Sequence, residues 1–496
     1  MIKSYSFSQN TFFYLIASVV AKILVFFYFI FLARYLGPKE FGIYSVGLSF
    51  IAMFGVLIDL GFSTALVRET AKDRDKTKKY LENLFSFRLI LAVATFFIIF
   101  IAVNLLKYSE ITRYFIYLAA WGMIFESLAA IFYASFRGWQ NLRFEAIGLV
   151  LDKFAYVFFG FILILFKAPV LLTAIPLILG GIFYFIFPLF IVQKKIKLQL
   201  SIDKKIISFF FKISLPLILG IIFSSIFGAI NTVLVSLLAS EKDAGLFSAA
   251  FRIPSALLFI PMIVGAAIFP VFSRLVKENQ ARISYFFEKV FLYLIFISLP
   301  LIFGGIILGK EITIFMYGRD FLDSTASFQI LLVGLVFTFL DFVFSSLLTA
   351  FDKQKANSIA RGIGLLVNIV LCFILIPHLK HLGGSIAFTV GFIIFGLVQV
   401  FLIHKLIPLH FSKLSKLLPK VFSVFFSSLI MGAVLFIFRS KAHVFVSLIV
   451  GVVVYSLALY FSGGLKRNDL KEILGVMKSS INSRQNKIMT EEKIVE

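Results

Sequence analysis

A run from Thr11 to Ala33, interrupted only by Lys22, opens a series of fourteen apolar segments, each about as long as a helix that crosses a bilayer. A spanning helix needs ~20 residues, and hydrocarbon offers no partner to an unpaired backbone group, so such a series folds as a bundle of helices. The segments fall near 12–33, 41–62, 88–106, 114–135, 147–166, 169–192, 213–236, 247–270, 290–309, 326–349, 362–378, 383–404, 421–438 and 443–462. The fold class is therefore all-α and polytopic. Between the fifth and sixth segments, Lys167-Ala168-Pro169 leaves almost no loop, which makes that boundary the least sharp. The first segment is long and many like it follow, so it reads as a retained span rather than a cleaved signal.

Composition agrees. Hydrophobic residues make up 60% of the chain, with 66 Phe against 25 Asp and Glu together, and no soluble fold hides that surplus. The formal charge of +23 lies in short runs between uncharged segments, a pattern that suits an anionic membrane surface and not nucleic acid. Cys372 is the single cysteine, and no GxxxxGK[ST], HExxH or CxxC pattern occurs, so neither a metal nor another cofactor is expected. The longest internal connection is about 25 residues, too short for a catalytic domain, so no enzyme is expected.

Basic residues orient the bundle. With the N-terminus in the cytoplasm, the six even-numbered connections and their margins carry 26 Lys and Arg, and the seven opposite ones carry 12. That asymmetry places both termini in the cytoplasm.

A short pattern returns at an offset of 203 residues. Leu36-Gly-Pro-Lys-Glu-Phe-Gly-Ile-Tyr-Ser45 aligns with Ala239-Ser-Glu-Lys-Asp-Ala-Gly-Leu-Phe-Ser248, pairing Gly42 with Gly245 and Tyr44 with Phe247. Each copy ends one span and opens the next. The glycines permit a left-handed or closely packed backbone, and the aromatics are expected near the membrane interface. Six spans separate the copies, an even number, so both units share one orientation. This gives two six-helix lobes in parallel pseudo-repeat, 1–200 and 201–410, then two extra helices in 411–465 and a polar cytoplasmic tail in 466–496. Parallel lobes that rock about a central cavity are a transporter plan. The plainer alternative is a Gly-aromatic turn recurring by chance.

Charges inside spans are costly and mark sites. Lys22 stands midway along the first span, where it can line a cavity and attract a phosphate-bearing head group or pair with an intramembrane acid. Arg252 lies one to two turns into the eighth span and can clamp phosphate bidentately or snorkel to the interface. Three acids, Asp59, Glu126 and Asp341, are candidates for ion pairs or for proton exchange during transport; Asp59 can also simply end its helix. Arg34, Arg68, Arg137, Asp152 and Arg361 sit at predicted membrane edges and read as anchors.

Leu32-Ala-Arg-Tyr-Leu-Gly-Pro-Lys-Glu-Phe-Gly-Ile-Tyr-Ser45, Asp59-Leu-Gly-Phe-Ser-Thr-Ala-Leu-Val-Arg-Glu69, Asp243-Ala-Gly-Leu-Phe-Ser-Ala-Ala-Phe-Arg-Ile253 and His381-Leu-Gly-Gly-Ser-Ile-Ala-Phe-Thr389 together resemble Wzx-type polysaccharide flippases. These are members of the multidrug, oligosaccharidyl-lipid and polysaccharide (MOP) exporter superfamily. The resemblance implies alternating access and a polyisoprenyl phosphate- or diphosphate-linked oligosaccharide as substrate, moved from the cytoplasmic to the external leaflet of the cytoplasmic membrane. It also implies membrane lipids and a glycan polymerase or glycosyltransferases as working partners. Lys22 and Arg252 are placed near the head group by charge and depth, not by a family motif. The second copy of the turn has Ala239-Ser240 where the first has Leu36-Gly37 and lacks proline, so the lobes need not move equivalently. The competing readings are an ion-coupled exporter of amphipathic drugs and, further off, a membrane glycosyltransferase.

Overall fold

A computed structural model describes residues 7–278, 281–407, 418–439 and 443–463; the polar tail expected over 466–496 lies outside the described residues. Every regular element among them is helical. In chain order they are α1 (Phe7–Asp59), α2 (Phe62–Lys72), α3 (Thr77–Leu105), α4 (Glu110–Gly138), α5 (Arg143–Leu165), α6 (Ile175–Ile196), α7 (Lys204–Leu238), α8 (Glu241–Leu257) and α9 (Phe259–Glu278). There follow α10 (Ala281–Ile307), α11 (Gly309–Tyr317), α12 (Ser324–Val333), α13 (Leu335–Ala350), α14 (Gln354–Leu379), α15 (His381–Leu406), α16 (Leu418–Phe438) and α17 (Val444–Phe461).

Thirteen helical stretches are long and apolar enough to cross a membrane. The first, Phe13–Lys72, is 60 residues long and holds two spans, because α1 breaks at Gly37. Gly37 has φ 67 and ψ 174, a left-handed φ that disfavours a Cβ, and Pro38 follows where a helix tolerates a missing N–H. The corresponding break in the second copy uses different chemistry. Ser240 accepts from the backbone N–H of Asp243 at 3.0 Å and so caps α8, with no left-handed residue.

The indistinct boundary at Lys167 resolves into a turn. Lys167 takes φ 52, Pro169 starts a 3-10 turn over Val170–Ala174, and α6 begins at Ile175, six residues later than the sequence suggests. Proline terminates the preceding path by withholding its N–H, and its apolar neighbours hid that break from hydropathy.

The chain groups into two compact units. The first comprises Met1–Ala249, Met316–Ser324 and Asn368–Ala387. Its core joins α2, α3, α4, α6 and α7 through the buried side chains Phe62, Leu66, Leu84, Phe132, Val192 and Phe210. Helices in lipid gain little from the hydrophobic effect, so close packing decides their crossings. Gly122 and Gly181 let α4 and α6 touch by backbone: a Cβ on Gly181 would come within 2.7 Å of the Gly122 carbonyl. Near one end, Asn231 on α7 donates to Asn368 at 2.9 Å and to the Gly384 carbonyl at 2.9 Å, tying α14 and α15 to this unit.

The second unit comprises Ala250–Phe315, Thr325–Val367 and the described residues from Phe388 onward. Here α10 packs with α16 and α17 around Leu308, Met431 and Leu435, and Tyr455 donates to the Phe296 carbonyl at 2.8 Å.

Candidate functional site

Six connections follow spans one, three, five, seven, nine and eleven, and the first unit holds residues from all six together at one end. Arg34 Nε donates to the Met316 carbonyl at 2.8 Å, joining the first connection to the ninth. Tyr35 donates to the Ala168 carbonyl at 2.7 Å, joining the first to the fifth. Ser109 and Thr112, at the start of α4, donate to the Glu241 carboxylate at 2.6 and 2.5 Å, joining the third to the seventh. His381 Nδ1 lies 2.9 Å from Asp243, and its Nε2 lies 3.2 Å from the Asp323 carbonyl, which adds the eleventh.

At the centre of this layer the structure brings Gly42 and Gly245 together. A Cβ on Gly42 would fall on the Glu241 carbonyl, and one on Gly245 would fall on the Pro38 carbonyl. Pro38 and Glu241 are themselves related by the 203-residue offset, so the contact is symmetric under exchange of the two copies. Both glycines are helical; their role is close approach, and the left-handed residue is Gly37 instead. Tyr44 and Phe247 are buried in the protein, at 0% and 2% exposure. Tyr44 hydrogen-bonds Tyr156, and Phe247 packs 3.5 Å from the position a Cβ on Gly384 would take, because the crossing turns both rings into the bundle.

The three acids inside spans each sit in an ion pair. Asp59 pairs with Arg88 and accepts from the Ser63 amide at 3.1 Å, so it links the end of α1 to the start of α2. Arg88 is fully buried and also donates to Ser63 Oγ at 2.8 Å and to the Ser127 carbonyl at 2.6 Å, spanning α2, α3 and α4. Glu126 on α4 meets Lys153 on α5 at 2.9 Å, and Lys153 also meets Asp152 at 2.7 Å. In the second unit, Asp341 on α13 meets Arg361 on α14 at 3.2 Å and accepts from Gln399 on α15 at 2.8 Å. Asn357 and Ser345 extend this cluster, with Gln399 donating to Asn357 at 2.8 Å.

Two of these pairs correspond across the lobes. Glu126 and Asp341 lie on the fourth and tenth spans, while Lys153 lies in the first half of the fifth and Arg361 at the start of the eleventh. Each lobe thus holds an acid on its fourth span against a base on its fifth. Lys22 is exposed on α1 in the first unit, and Arg252 is half-buried on α8 in the second.

Sequence reasoning missed Arg88, Lys153 and Arg361 as partners: Arg361 reads as an edge anchor, and Arg88 and Lys153, at the start of one span and within the first half of another, count only toward the basic bias of the neighbouring connections. The signal was the presence of an acid one span earlier in every case. Gln399, Asn231 and Asn368 were missed because only charges inside spans were read as site markers, and a single uncharged amide in a long apolar run carries no charge to flag it. Among the described residues no group of three His, Cys, Asp or Glu can hold a metal ion.

Fourteen apolar spans and a repeated turn packed on its own copy describe a multi-pass membrane protein with repeat-like helix packing, and two family models place it in the MOP superfamily. The family model described as "Polysaccharide biosynthesis protein" matches residues 7–276, more than half of the chain, and the chain belongs to that family. A second model, MatE, matches residues 216–374. Over 396 residues the chain is 22% identical to a putative O-antigen transporter of Shigella flexneri, covering 77% of this chain and 93% of that protein. It is 26% identical over 301 residues to the uncharacterized membrane protein MJ1068 of Methanocaldococcus jannaschii, covering 59% of this chain but only 58% of that protein. A structure of the lipid II flippase MurJ in an inward closed conformation shares the fold at TM-score 0.73 and 18% identity, over 90% of this chain and 98% of that one. The kinship identifies a transporter, and the glycosyltransferase reading falls away.

Proposed function

We propose that this protein flips a lipid-linked oligosaccharide from the cytoplasmic to the external leaflet by alternating access. The observation that carries the reading is the layer at the odd-numbered connections, where turns from both repeats interlock around Gly42 and Gly245. A transporter of two similar lobes must be able to seal one end while the other is open, and symmetric backbone contact between the lobes supplies such a seal. Membership of a polysaccharide biosynthesis family, and likeness to a putative O-antigen transporter along nearly its full length, favour a glycan cargo.

The physics of the cargo fits a protein path. Sugar hydroxyls lose their water hydrogen bonds in hydrocarbon, so the glycan needs a polar passage, whereas its polyisoprenoid tail travels in lipid. Lys22 and Arg252 are the groups we place against the phosphate or diphosphate. Glu126 and Asp341, with their paired bases, are the groups we place in any coupling to an ion gradient, and both termini lie in the cytoplasm with the sealed layer external. The lobes follow the boundaries 1–200 and 201–410, with 411–465 as added spans.

The test is reconstitution of the purified chain in liposomes with a glycan-labelled lipid carrier, scored by access of an external glycosidase. Lys22→Ala and Arg252→Ala should slow translocation while leaving folded abundance intact; wild-type rates in both remove them from the mechanism. The second reading is export of amphipathic drugs, favoured by the MatE match over residues 216–374. Movement of a cationic drug without movement of the glycolipid would establish it.

A further inference from the structure

Between α3 and the start of α7 the first unit has a groove of about 580 Å³ that takes no part in the mechanism above. We propose that it binds an anionic phospholipid, with an acyl chain lying in the groove and the anionic head group attracted by Lys204 and Lys212. The proposal rests on the membrane-spanning fold and is independent of which cargo is transported.

One face of α7 builds the site. With 35 residues α7 extends about 52 Å, well beyond the ~30 Å of hydrocarbon. Its apolar span is expected from residue 213 onward, so the basic start of the helix, Lys204 to Lys212, belongs to the membrane boundary. Lys204, Ile207, Ser208, Phe211, Lys212 and Leu215 line the groove, recurring at three- and four-residue intervals (204, 208, 211, 215 and 204, 208, 212), which is one helix face. The two ammonium-bearing positions are therefore two turns apart, about 12 Å, and bracket an apolar floor.

The opposite wall comes from α3, where Ile90 is 51% exposed, and the rim comes from Ile202. That rim is fixed in place. Glu82, Asn83 and Ser86 on α3 accept from the backbone amides of Gln199, Asp203 and Ser201, stapling the segment between α6 and α7 along α3. A groove with rigid walls loses little entropy when it is filled.

Charge and chemistry select the occupant. No acid lines the groove. Asp203, next to Lys204 in the chain, accepts from the Lys205 amide at 2.9 Å and lies 3.7 Å from Lys79, so it is engaged elsewhere. Leu215 and Phe211, at 58% and 39% exposure, present apolar surface that an acyl chain covers while basic residues beside them attract an anionic head group. A second copy of the chain packed symmetrically on this face would set the same lysines against each other. A glycan would find Ser208 as the sole neutral side-chain hydroxyl among the lining residues.

The experiment uses the full chain carrying Cys372→Ser and Ser208→Cys, labelled with a small fluorophore and placed in phosphatidylcholine vesicles containing phosphatidylglycerol. Either lipid is supplied with brominated chains in turn. Brominated phosphatidylglycerol should quench the label with a preference on the order of tenfold over brominated phosphatidylcholine at equal mole fraction. Lys204→Gln with Lys212→Gln should remove the preference, and raising salt should do the same in the unsubstituted chain, a test free of any folding effect. Equal quenching by the two lipids overturns the proposal, as does a preference that survives both salt and substitution. Displacement by polyprenyl phosphate more readily than by phosphatidylglycerol assigns the groove to the carrier instead. Shielding of the label that grows with protein concentration assigns it to a second copy.

Discussion

Gly42 and Gly245, 203 residues apart, meet backbone to backbone, each against the carbonyl four residues before the other: Gly42 on Glu241, Gly245 on Pro38. The sequence offset that first joined these turns is thereby also their spatial relation. A contact this close leaves no room for a side chain on either partner, so the seal is conditional on two missing methyl groups.

Gly42→Val or Gly245→Val should open this end. Overpacking of a tight contact costs about 1–3 kcal/mol, enough to shift a two-state equilibrium by roughly fivefold or more. Spin labels at Lys39 and Lys242 should report a longer mean distance in either variant. An unchanged distance distribution would show that the crossing yields without opening.

Glu241 acts as the latch between the third and seventh connections, accepting from both Ser109 and Thr112. Hydrogen bonds to a carboxylate contribute about 1.5–3 kcal/mol. Glu241→Ala should lower the thermal midpoint of the purified protein, and Ser109→Ala with Thr112→Val should lower it comparably. Combining all three substitutions should add little, since they remove one shared interaction. Simple additivity would mean that the groups act separately.

Arg88 is fully buried, and removing its charge should be worse than removing both charges. Arg88→Met strands Asp59 and the Ser127 carbonyl, at a cost of about 3–5 kcal/mol. Folded yield should fall steeply in Arg88→Met and recover in part when Asp59→Asn is added. A double variant no more stable than the single one would show that the hydrogen bonds of Arg88, rather than its charge pairing, hold α2, α3 and α4 together.

The pair Asp341–Arg361 separates a structural from a transport role. Arg361→Met alone should destabilise the second unit by about 3 kcal/mol, whereas Asp341→Asn with Arg361→Met should restore folded abundance. If the acid takes part in coupling, that folded double variant should flip its cargo at least tenfold more slowly. A wild-type rate would leave the pair as a brace between α13 and α14.

Much of this architecture was legible because lipid enforces it. A span must satisfy its own backbone, so its length and apolarity are written into the sequence, and the fourteen segments emerge without knowledge of contacts. The partnership of Gly42 with Gly245 was legible as an offset, though not its geometry: the positive φ belongs to Gly37, five residues earlier. The partners of Asp59, Glu126 and Asp341 were not legible. Arg88, Lys153 and Arg361 each stand where a topology anchor also stands, and only packing distinguishes a side chain turned inward from one turned to the head groups. The groove on α3 and α7 was hidden for the same reason, since its lysines count equally well toward the positive-inside bias.

The most direct measurement combines the seal with the cargo. Lys39→Cys and Lys242→Cys, in a chain carrying Cys372→Ser, would be joined by a short cleavable bismaleimide in liposomes loaded with lipid-linked oligosaccharide. Flipping should proceed before the linker is added, stop while it holds the two turns together and resume when it is cut. Glycolipid movement that continues with the turns joined, or that never exceeds protein-free liposomes, would contradict the account.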